Sequence, residues 1–337
     1  MPTCWYVQTY AQRSERGGST PVKRTTIKDV ALAAGVDVST VSRAIHGNTR
    51  ISLETRDRVA AAIRDLDYRP NVAARAMVTR RTHTFAFLVP DLSDPNVAEF
   101  ASGAEARARE EGFSMLVAGY RPRDARYRPD ESFFREHRVD GILLMSPRHY
   151  PAAAFDLPVA TLEEARVDNR GGGALVGELL RGLGHRVVAF VGGQHDSPHA
   201  RERVLGLQRT LDAEAIVRYG DWSAESGRTL TTSLLAERPD VTAIFAASDS
   251  VALGVIHALH AAGVAIPGDV SVIGFDDQAV SRHCWPALTT ISQPLRAVGA
   301  TAFGLLRRRI EGHEPDPAPP LPVYLIERGS TGPVRTS

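Results

Sequence analysis

Residues 25–70 carry apolar side chains at helical spacing in three short runs. Apolar positions recur every three or four residues: Ile27, Val30, Ala31 and Ala34, then Val38, Val41 and Ile45, then Val59, Ile63 and Leu66. A residue suited to cap a helix precedes each run: Thr26, with Asp29 completing a capping box, then Asp37 or Ser39, then Ser52. Gly35 stops the first run, and Pro70 stops the third because a residue before proline disfavours the helical conformation. The pattern therefore predicts three short helices.

From residue 85 onward, apolar runs alternate with amphipathic stretches. The runs that indicate strands are 85–89, 114–117, 141–145, 158–161, 187–191, 243–246 and 270–274, and the predicted helices include 99–111, 173–183, 200–211 and 251–262. Strands that alternate with helices favour an α/β fold with parallel sheets covered by helices. About 250 residues of this pattern suit two doubly wound lobes, with ligands expected at the carboxyl ends of strands and in the crevice between lobes.

The first two helices, joined at Gly35, have the arrangement of a helix-turn-helix. In such a motif the second helix enters the major groove of DNA. The side chains that this leaves on the outer face are Val38, Ser39, Ser42 and Arg43. A generic helical hairpin would show the same pattern, so the periodicity alone leaves both interpretations open.

The distribution of charge favours a polyanion as partner of the N-terminal helices. The whole chain carries a formal net charge of +1, from 40 basic and 39 acidic residues. Residues 21–84 carry a net +6 and residues 1–20 a net +1, which leaves −6 for residues 85–337. A basic head on an acidic body indicates a head that binds a polyanion such as nucleic acid.

The remaining composition is that of an ordinary globular protein of the cytoplasm. The 337 residues include two cysteines, Cys4 and Cys284, which lie far apart and outside any CxxC pair, so neither a disulfide framework nor a cysteine zinc site is expected. No apolar stretch is long enough for a transmembrane helix, and residues 1–24 lack the apolar segment of a signal peptide. We therefore expect a cytoplasmic protein without membrane contact, whose residues 1–24 are either a disordered extension or the result of a mis-set start codon.

Several motifs resemble the LacI/GalR family of transcription regulators. They are TIKDVALAAGVDVSTVSRAIHG at 26–47, SLETRDRV at 52–59, LDYRPN at 66–71 and AARAM at 73–77. The resemblance extends to about residue 331. It implies a helix-turn-helix head at 25–70, a hinge helix and linker at 71–84, and an effector-binding and dimerisation body at 85–332 that is similar to periplasmic sugar-binding proteins.

The resemblance also implies which residues contact DNA. They are Thr26, Ile27, Asp37, Val38, Ser39, Thr40, Ser42, Arg43, His46, Arg50, Ser52, Asn71, Ala74, Arg75 and Met77. Among these, Val38 and Ser39 match the pair that reads base edges, and Met77 takes the place of the usual leucine that opens a base step in the minor groove. Two further departures from the family are Asp37 for a usual serine and His46 for a usual asparagine.

In the body, the resemblance implies two lobes that the chain connects near Asp168, Gln293 and Pro319. Lobe one would comprise 85–167 and 294–318, and lobe two 169–292 and 320–332. The residues that match effector-contacting positions are Asn96, Arg203, Trp222, Ser248, Asp249, Asp276 and Gln293. Without the family, Trp222 would be interpreted as core, Arg203 as a solvated helix residue and Asp276 as a turn former.

The same region departs from the family in three places. The chain has SDPNV at 93–97 where the family often has Ser-Asn-Pro-Phe-Phe, Ser248 stands for an asparagine, and the segment between Thr161 and Asp168 is several residues shorter. The resemblance implies a sugar as the first expectation for the effector. Because of these departures, a nucleoside, a sugar phosphate or no ligand remain open.

Other protein classes fit the sequence less well. An enzyme is disfavoured because the chain has no GxSxG, HExxH, P-loop or GxGxxG motif in the required context, and no cofactor or metal is expected. A secreted solute-binding protein would need a signal peptide and no basic head. An architectural DNA-binding protein without ligand control stays possible. The sequence thus predicts a homodimeric repressor that binds a near-palindromic double-stranded operator and responds to a small molecule.

Overall fold

The computed structural model describes residues 25–45, 51–68, 81–120, 131–147, 154–213 and 215–335. The chain forms two compact units, residues 1–80 and residues 81–337, which we call the head and the body. No helix within the described ranges combines the length and the apolar character that a bilayer crossing requires.

The head is a bundle of three helices, α1 (Ile27–Ala34), α2 (Val38–Ile45) and α3 (Leu53–Asp65). Its buried core consists of Val30, Ala31, Ala34, Val41, Val59, Ala62 and Tyr68. The turn between α1 and α2 passes through Gly35 at φ 65°, a left-handed conformation that glycine adopts without steric cost. The predicted helix-turn-helix is therefore confirmed. The predicted apolar stripes face the core except at Val38, which is 40% exposed and lies on the outer face of α2.

Side-chain caps fix where these helices begin. The backbone N–H of Thr26 donates to Asp29 Oδ2 at 2.7 Å, as the predicted capping box requires. Asp37 caps α2, because its Oδ1 accepts the backbone N–H of Thr40 at 2.9 Å. Ser52 caps α3 by accepting the backbone N–H of Thr55 at 3.2 Å.

The first sheet of the body has four parallel strands in the order β2-β1-β3-β4. They are β1 (Thr84–Val89), β2 (Ser114–Gly119), β3 (Gly141–Leu144) and β4 (Val159–Thr161), and β4 leads into a 3₁₀ turn at Leu162–Ala165. With this sheet belong α4 (Pro95–Glu110), α5 (Glu131–Glu136) and, from later in the chain, α10 (Leu295–Ile310), which packs along α4. We call this assembly lobe one.

The second sheet has six strands in the order β10-β9-β8-β7-β5-β6. The strands are β5 (Val188–Val191), β6 (Ala215–Arg218), β7 (Ala243–Ala246), β8 (Ser271–Asp276), β9 (Thr289–Ser292) and β10 (Tyr324–Ile326). The helices of this half are α6 (Asn169–Gly182), α7 (Pro198–Leu211), α8 (Ala224–Glu237) and α9 (Asp249–Ala261). We call this assembly lobe two.

The sheets agree with the predicted α/β class but differ from the sequence interpretation in two respects. First, β10 runs antiparallel to β9, so the second sheet is not wholly parallel. Second, the apolar pattern did not mark β6, β9 or β10. The strand β9 escaped because Thr289 and Thr290 are fully buried although they are polar, and internal hydrogen bonds satisfy both hydroxyls.

Three segments connect the two lobes. The first precedes α6, the second joins β9 to α10, and the third leads from α10 to β10. The first and third lie side by side, because Val167 bridges to Leu321 and the N–H of Asp168 donates to the Leu321 carbonyl at 3.0 Å. Asn169 directly follows the first of these connections, and Gln293 lies in the second.

Candidate functional site

The outward face of α2 carries the residues that the sequence analysis assigned to base contacts. Val41 on the opposite side is fully buried, whereas the side chains of Ser39 and Arg43 are exposed and Val38 retains 40% of its accessible surface. The face therefore offers one apolar and two polar side chains to a partner.

The carboxylate of Asp37 organises the start of this face. Its Oδ1 accepts the hydroxyl of Ser39 at 2.5 Å, and its Oδ2 accepts the hydroxyl of Thr40 at 3.0 Å. These hydrogen bonds, first that of Ser39 and then those of Thr40, lower the pKa of Asp37 to about 2. Asp37 is thus a carboxylate at every physiological pH.

The other positions that the sequence analysis assigned to DNA contact lie partly inside and partly outside the described residues. Thr26 and Ser52 lie at the N-terminal ends of α1 and α3, where anions are favoured by the helix dipole, and Ile27, Thr40 and Ser42 are partly buried. The residues His46, Arg50, Asn71, Ala74, Arg75 and Met77 lie outside the described part of the chain.

A polar cluster joins the two lobes around Asp276, at the end of β8. The carboxylate of Asp276 accepts Nδ2 of Asn96 at 2.8 Å and also accepts Nε2 of Gln293. Asn96 belongs to lobe one, at the start of α4, and its Oδ1 accepts Nε2 of Gln278 from lobe two at 3.1 Å. The side-chain amide of Asn96 therefore bridges the lobes through two hydrogen bonds.

Arg203 of α7 interacts electrostatically with Asp276 and is buried, with 4% of its surface exposed. Its Nε donates to Asn169 Oδ1 at 2.8 Å, and its guanidinium also donates to the carbonyl of Ala247. The guanidinium carbon lies 3.5 Å from the ring centroid of Phe275 and 5.6 Å from that of Trp222. Burial lowers the pKa of Arg203 to about 10, against the opposing effect of Asp276 and Asp249, so the side chain stays a cation.

Asp249, the first residue of α9, is fully buried and bound from within lobe two. Its Oδ1 accepts the hydroxyl of Thr290 at 2.5 Å and its Oδ2 accepts the backbone N–H of Gln278 at 2.7 Å. Burial, with a smaller contribution from nearby Asp276, raises the pKa of Asp249 to about 8. Burial likewise raises the pKa of Asp276 to about 6, although Arg203 acts in the opposite direction.

The backbone at the end of β8 adopts an unusual conformation that aims these side chains. Asp276 has φ 120° and Asp277 has φ 53°, both in the region that non-glycine residues avoid. Asp277 is held by Arg328, whose guanidinium donates to its Oδ1 at 2.5 Å. Backbone strain of this kind persists where the surroundings over-determine it, and such positions concentrate at ligand-binding sites.

The structure thus brings together most of the residues matched to effector contacts. Asn96, Asp276 and Gln293 are joined by hydrogen bonds, and Arg203 and Asp249 both interact electrostatically with Asp276. Trp222 stands beside Arg203, and Ser248 acts as the cap of α9 by accepting the N–H of Val251 at 3.2 Å. Within the described residues, no group of histidine, cysteine or acidic side chains could hold a metal ion.

Comparison with known proteins decides the family. The chain is 35% identical to the HTH-type transcriptional regulator CelR of Thermobifida fusca over 322 residues, which cover 88% of this chain and 94% of that protein. It is 32% identical to the HTH-type transcriptional regulator DegA of Bacillus subtilis, across 93% of this chain and 100% of that protein.

The chain belongs to the LacI family. The description "Bacterial regulatory proteins, lacI family" matches residues 26–71, and "Periplasmic binding protein-like domain" matches residues 178–331. Both the family membership and the predicted fold class are therefore confirmed, and the chain is a DNA-binding transcription regulator of this family.

Solved structures of LacI-family proteins resemble the chain over nearly its whole length. A CelR–cellobiose complex superposes with a TM-score of 0.65 at 32% identity, across 91% of this chain and 100% of that one. A lac repressor dimer bound to operator and the anti-inducer ONPF superposes with a TM-score of 0.72 at 28% identity, across 92% of this chain and 100% of that one.

Four residues of the LacI-family body belong to the polar cluster although the sequence analysis did not name them. They are Asn169, Phe275, Gln278 and Thr290. Asn169 and Phe275 each adjoin a residue that the sequence analysis had named, Asp168 and Asp276, and that proximity was the available signal. Gln278 and Thr290 gave no such signal, because the contacts that tie them to the cluster, with Asn96 and with Asp249, are with residues far away in the sequence.

Proposed function

We propose that this LacI-family regulator is a repressor that binds a near-palindromic operator as a homodimer. A small molecule that binds between the lobes would either release the operator or strengthen its binding. The observation that supports an effector site is the polar cluster in which the buried Arg203 and Asp276 meet the partly buried Asn96 and Gln293, at the place where hydrogen-bonding side chains join the two lobes. Such a cluster of donors and acceptors at the junction of two lobes suits a polar ligand.

DNA contact would be divided between a helix-turn-helix domain and the segment that follows it. In this proposal residues 25–70 form the helix-turn-helix domain, residues 71–84 form a hinge helix and linker, and residues 85–332 form the effector-binding and dimerisation domain. The helix α2 lies in the major groove, and Met77 opens a base step in the minor groove. Two heads are needed because two half-sites lie about one helical turn apart.

The ligand would act by exchanging partners at the lobe junction. A ligand hydroxyl that binds Asp276 competes with Asn96 for the same carboxylate, and so changes how the two lobes are held together. A ligand shifts an equilibrium between two states only by its difference in affinity for them, and this exchange provides that difference. We propose a sugar or a related metabolite as the ligand, and a cytoplasmic protein without enzymatic activity, cofactor or metal.

The proposal is tested by a thermal-shift screen of the full chain against sugars, sugar phosphates and nucleosides, because a ligand of the folded state raises Tm by mass action. A stabilising compound should change operator affinity by at least about fivefold, the lower end of common allosteric coupling. Arg203→Lys keeps the charge but loses the planar fork, so it should abolish both effects.

Arg201→Lys is the matched control, since Arg201 is exposed on the same helix α7. The control should respond to the ligand as the unaltered chain does. If the Arg203→Lys variant keeps the full response, Arg203 does not belong to the effector site.

A second candidate is a LacI-family regulator with a non-sugar effector or with none. The observation that favours it is that two side chains of the protein itself, Asn96 and Gln293, donate hydrogen bonds to the Asp276 carboxylate. If no compound in the screen raises Tm while sequence-specific DNA binding is intact, the second candidate replaces the first.

A further inference from the structure

The first turn of α2 presents two hydroxyl groups whose protons are already donated in hydrogen bonds within the protein. Ser39 donates its hydroxyl proton to Asp37 Oδ1 at 2.5 Å, and Thr40 donates its own to Asp37 Oδ2 at 3.0 Å. Each hydroxyl has one proton and two lone pairs. Both side chains can therefore only accept a further hydrogen bond while Asp37 holds them.

Asp37 reinforces this one-sided chemistry. The carboxylate has about four acceptor sites and no proton to give when it is ionised. Its hydrogen bonds to Ser39 and Thr40 lower its pKa, so it stays ionised at neutral pH. Asp37 and Ser39 are exposed, so together with Thr40 they form an edge of oxygen acceptors at the start of the helix.

We propose that Asp37 restricts Ser39 to accepting, so that α2 selects a base with an amino group in the major groove, cytosine N4 or adenine N6. This inference rests on the proposed function, in which α2 lies in the major groove. A serine with a free hydroxyl either donates or accepts and so discriminates poorly between bases. Asp37 is thus a specificity-determining residue that acts through Ser39.

Neighbouring side chains on α2 supply the other kinds of contact. Arg43 is exposed one turn after Ser39 and offers the donors that guanine N7 and O6 accept. Val38 is 40% exposed and apolar, which suits contact with the methyl group of thymine. Donors and acceptors are therefore separated along the helix, with the acceptors at its N-terminal end.

The experiment begins by selecting duplexes from a randomised DNA library with the full chain and with Ser39→Ala. The base pair whose preference disappears in Ser39→Ala is the one that Ser39 reads. Single atoms of that base pair are then removed: the amino group, with nebularine for adenine or pyrimidin-2-one for cytosine, or the purine N7, with a 7-deaza analogue.

Removing the amino group should weaken binding by the unaltered chain about three- to tenfold, as expected for one neutral hydrogen bond. Ser39→Ala should show no such loss, and removing N7 should affect both proteins equally. Asp37→Ser keeps a capping residue but frees the Ser39 proton, so that Ser39 can donate as well as accept. This variant should therefore also bind DNA in which the two bases of the pair read by Ser39 are exchanged between the strands, the reversed base pair.

Asp57→Ser is the control for charge, because Asp57 is an exposed acid on α3. Like Asp37→Ser, it should raise affinity for all DNA at low salt, because a negative charge is removed. Unlike Asp37→Ser, it should leave the base preference unchanged.

Three results would overturn the inference while leaving the proposed function intact. They are a loss on N7 removal that vanishes in Ser39→Ala, a Ser39→Ala variant with unaltered preferences, and an Asp37→Ser variant that still rejects the reversed base pair. No enriched sequence with the unaltered chain would instead overturn the proposed function, and this inference with it.

Discussion

At the residue scale, the buried carboxyl group of Asp249 makes the stability of the body depend on pH. Its pKa of about 8 in the folded chain lies above the ordinary value of 3.8, because burial disfavours the charged form. The folded state therefore holds one proton more than the unfolded state between these values, and the free energy of unfolding falls as pH rises through that window.

Asp249→Asn should remove this dependence, because asparagine resembles the protonated acid in shape and carries no charge. Between pH 6.5 and 8.5 the Tm of the unaltered chain should fall by a few degrees more than that of the variant, since about 1 kcal/mol shifts Tm by about 2–4 °C in a domain of this size. Asp156→Asn is the control, because the Asp156 side chain is 87% exposed. Equal pH dependence in all three proteins would show that Asp249 is ionised throughout.

Single residues of the polar cluster were found through the family resemblance, whereas contacts between residues distant in the sequence were not. Arg203 and Asp276 match effector-contacting positions of the family, and both are buried and interact with each other. Gln278 was not found, because its contact with Asn96 spans 182 positions and depends on how two lobes meet. No local pattern encodes such a contact, whereas a helix cap such as Asp37 is encoded within three residues.

At the element scale, α4 and α10 approach so closely that only glycine fits between them. A Cβ on Gly103 would lie 1.9 Å from the carbonyl oxygen of Arg296. Gly103→Ala must therefore push the helices apart and should destabilise the body by about 1–3 kcal/mol, the usual cost of overpacking.

Gly304→Ala is the matched control, since Gly304 lies in the same helix α10 and a Cβ there would meet no atom within 4 Å. It should leave stability unchanged or raise it by up to about 1 kcal/mol, because alanine favours the helix. Urea unfolding measures both effects, and equal midpoints for the two variants would contradict the close contact.

The bridge between α4 and the end of β8 gives a second prediction at this scale. Asn96→Ala removes the two hydrogen bonds that Asn96 makes across the lobe junction, to Asp276 and to Gln278. We expect faster hydrogen exchange at the backbone amides of residues 276–278, because the carboxylate and amide lose their partner. Ser102→Ala on the same helix is the control and should leave exchange at residues 276–278 unchanged. Identical exchange in both variants would show that Asn96 does not link the lobes.

The existence of most elements followed from the sequence, whereas their ends and their polar members did not. The run 243–246 coincides with β7, and the apolar run at 85–89 lacks only the first residue of β1. The strand β9 was missed since Thr290 owes its burial to a hydrogen bond from its hydroxyl to Asp249, a partner 41 positions away. Hydrophobic periodicity detects a buried element only where its buried side chains are apolar.

At the scale of the whole molecule, the distribution of charge separates two tasks. Residues 21–84 carry a net +6 and residues 85–337 a net −6, which the total of +1 conceals. A basic head is attracted to DNA phosphates and an acidic body is repelled by them. Composition by segment therefore anticipated the division into head and body, while the antiparallel β10 required the structure.

The central claim is that the full chain recognises a specific operator as a dimer through α2. Selection from a randomised duplex library, followed by sequencing of the bound DNA, tests it most directly. The account predicts an inverted repeat whose half-sites lie about one helical turn apart, and loss of its enrichment when Val38 and Ser39 are both replaced by alanine. Binding without an enriched sequence, or an inverted repeat that the double variant selects equally well, would contradict the claim.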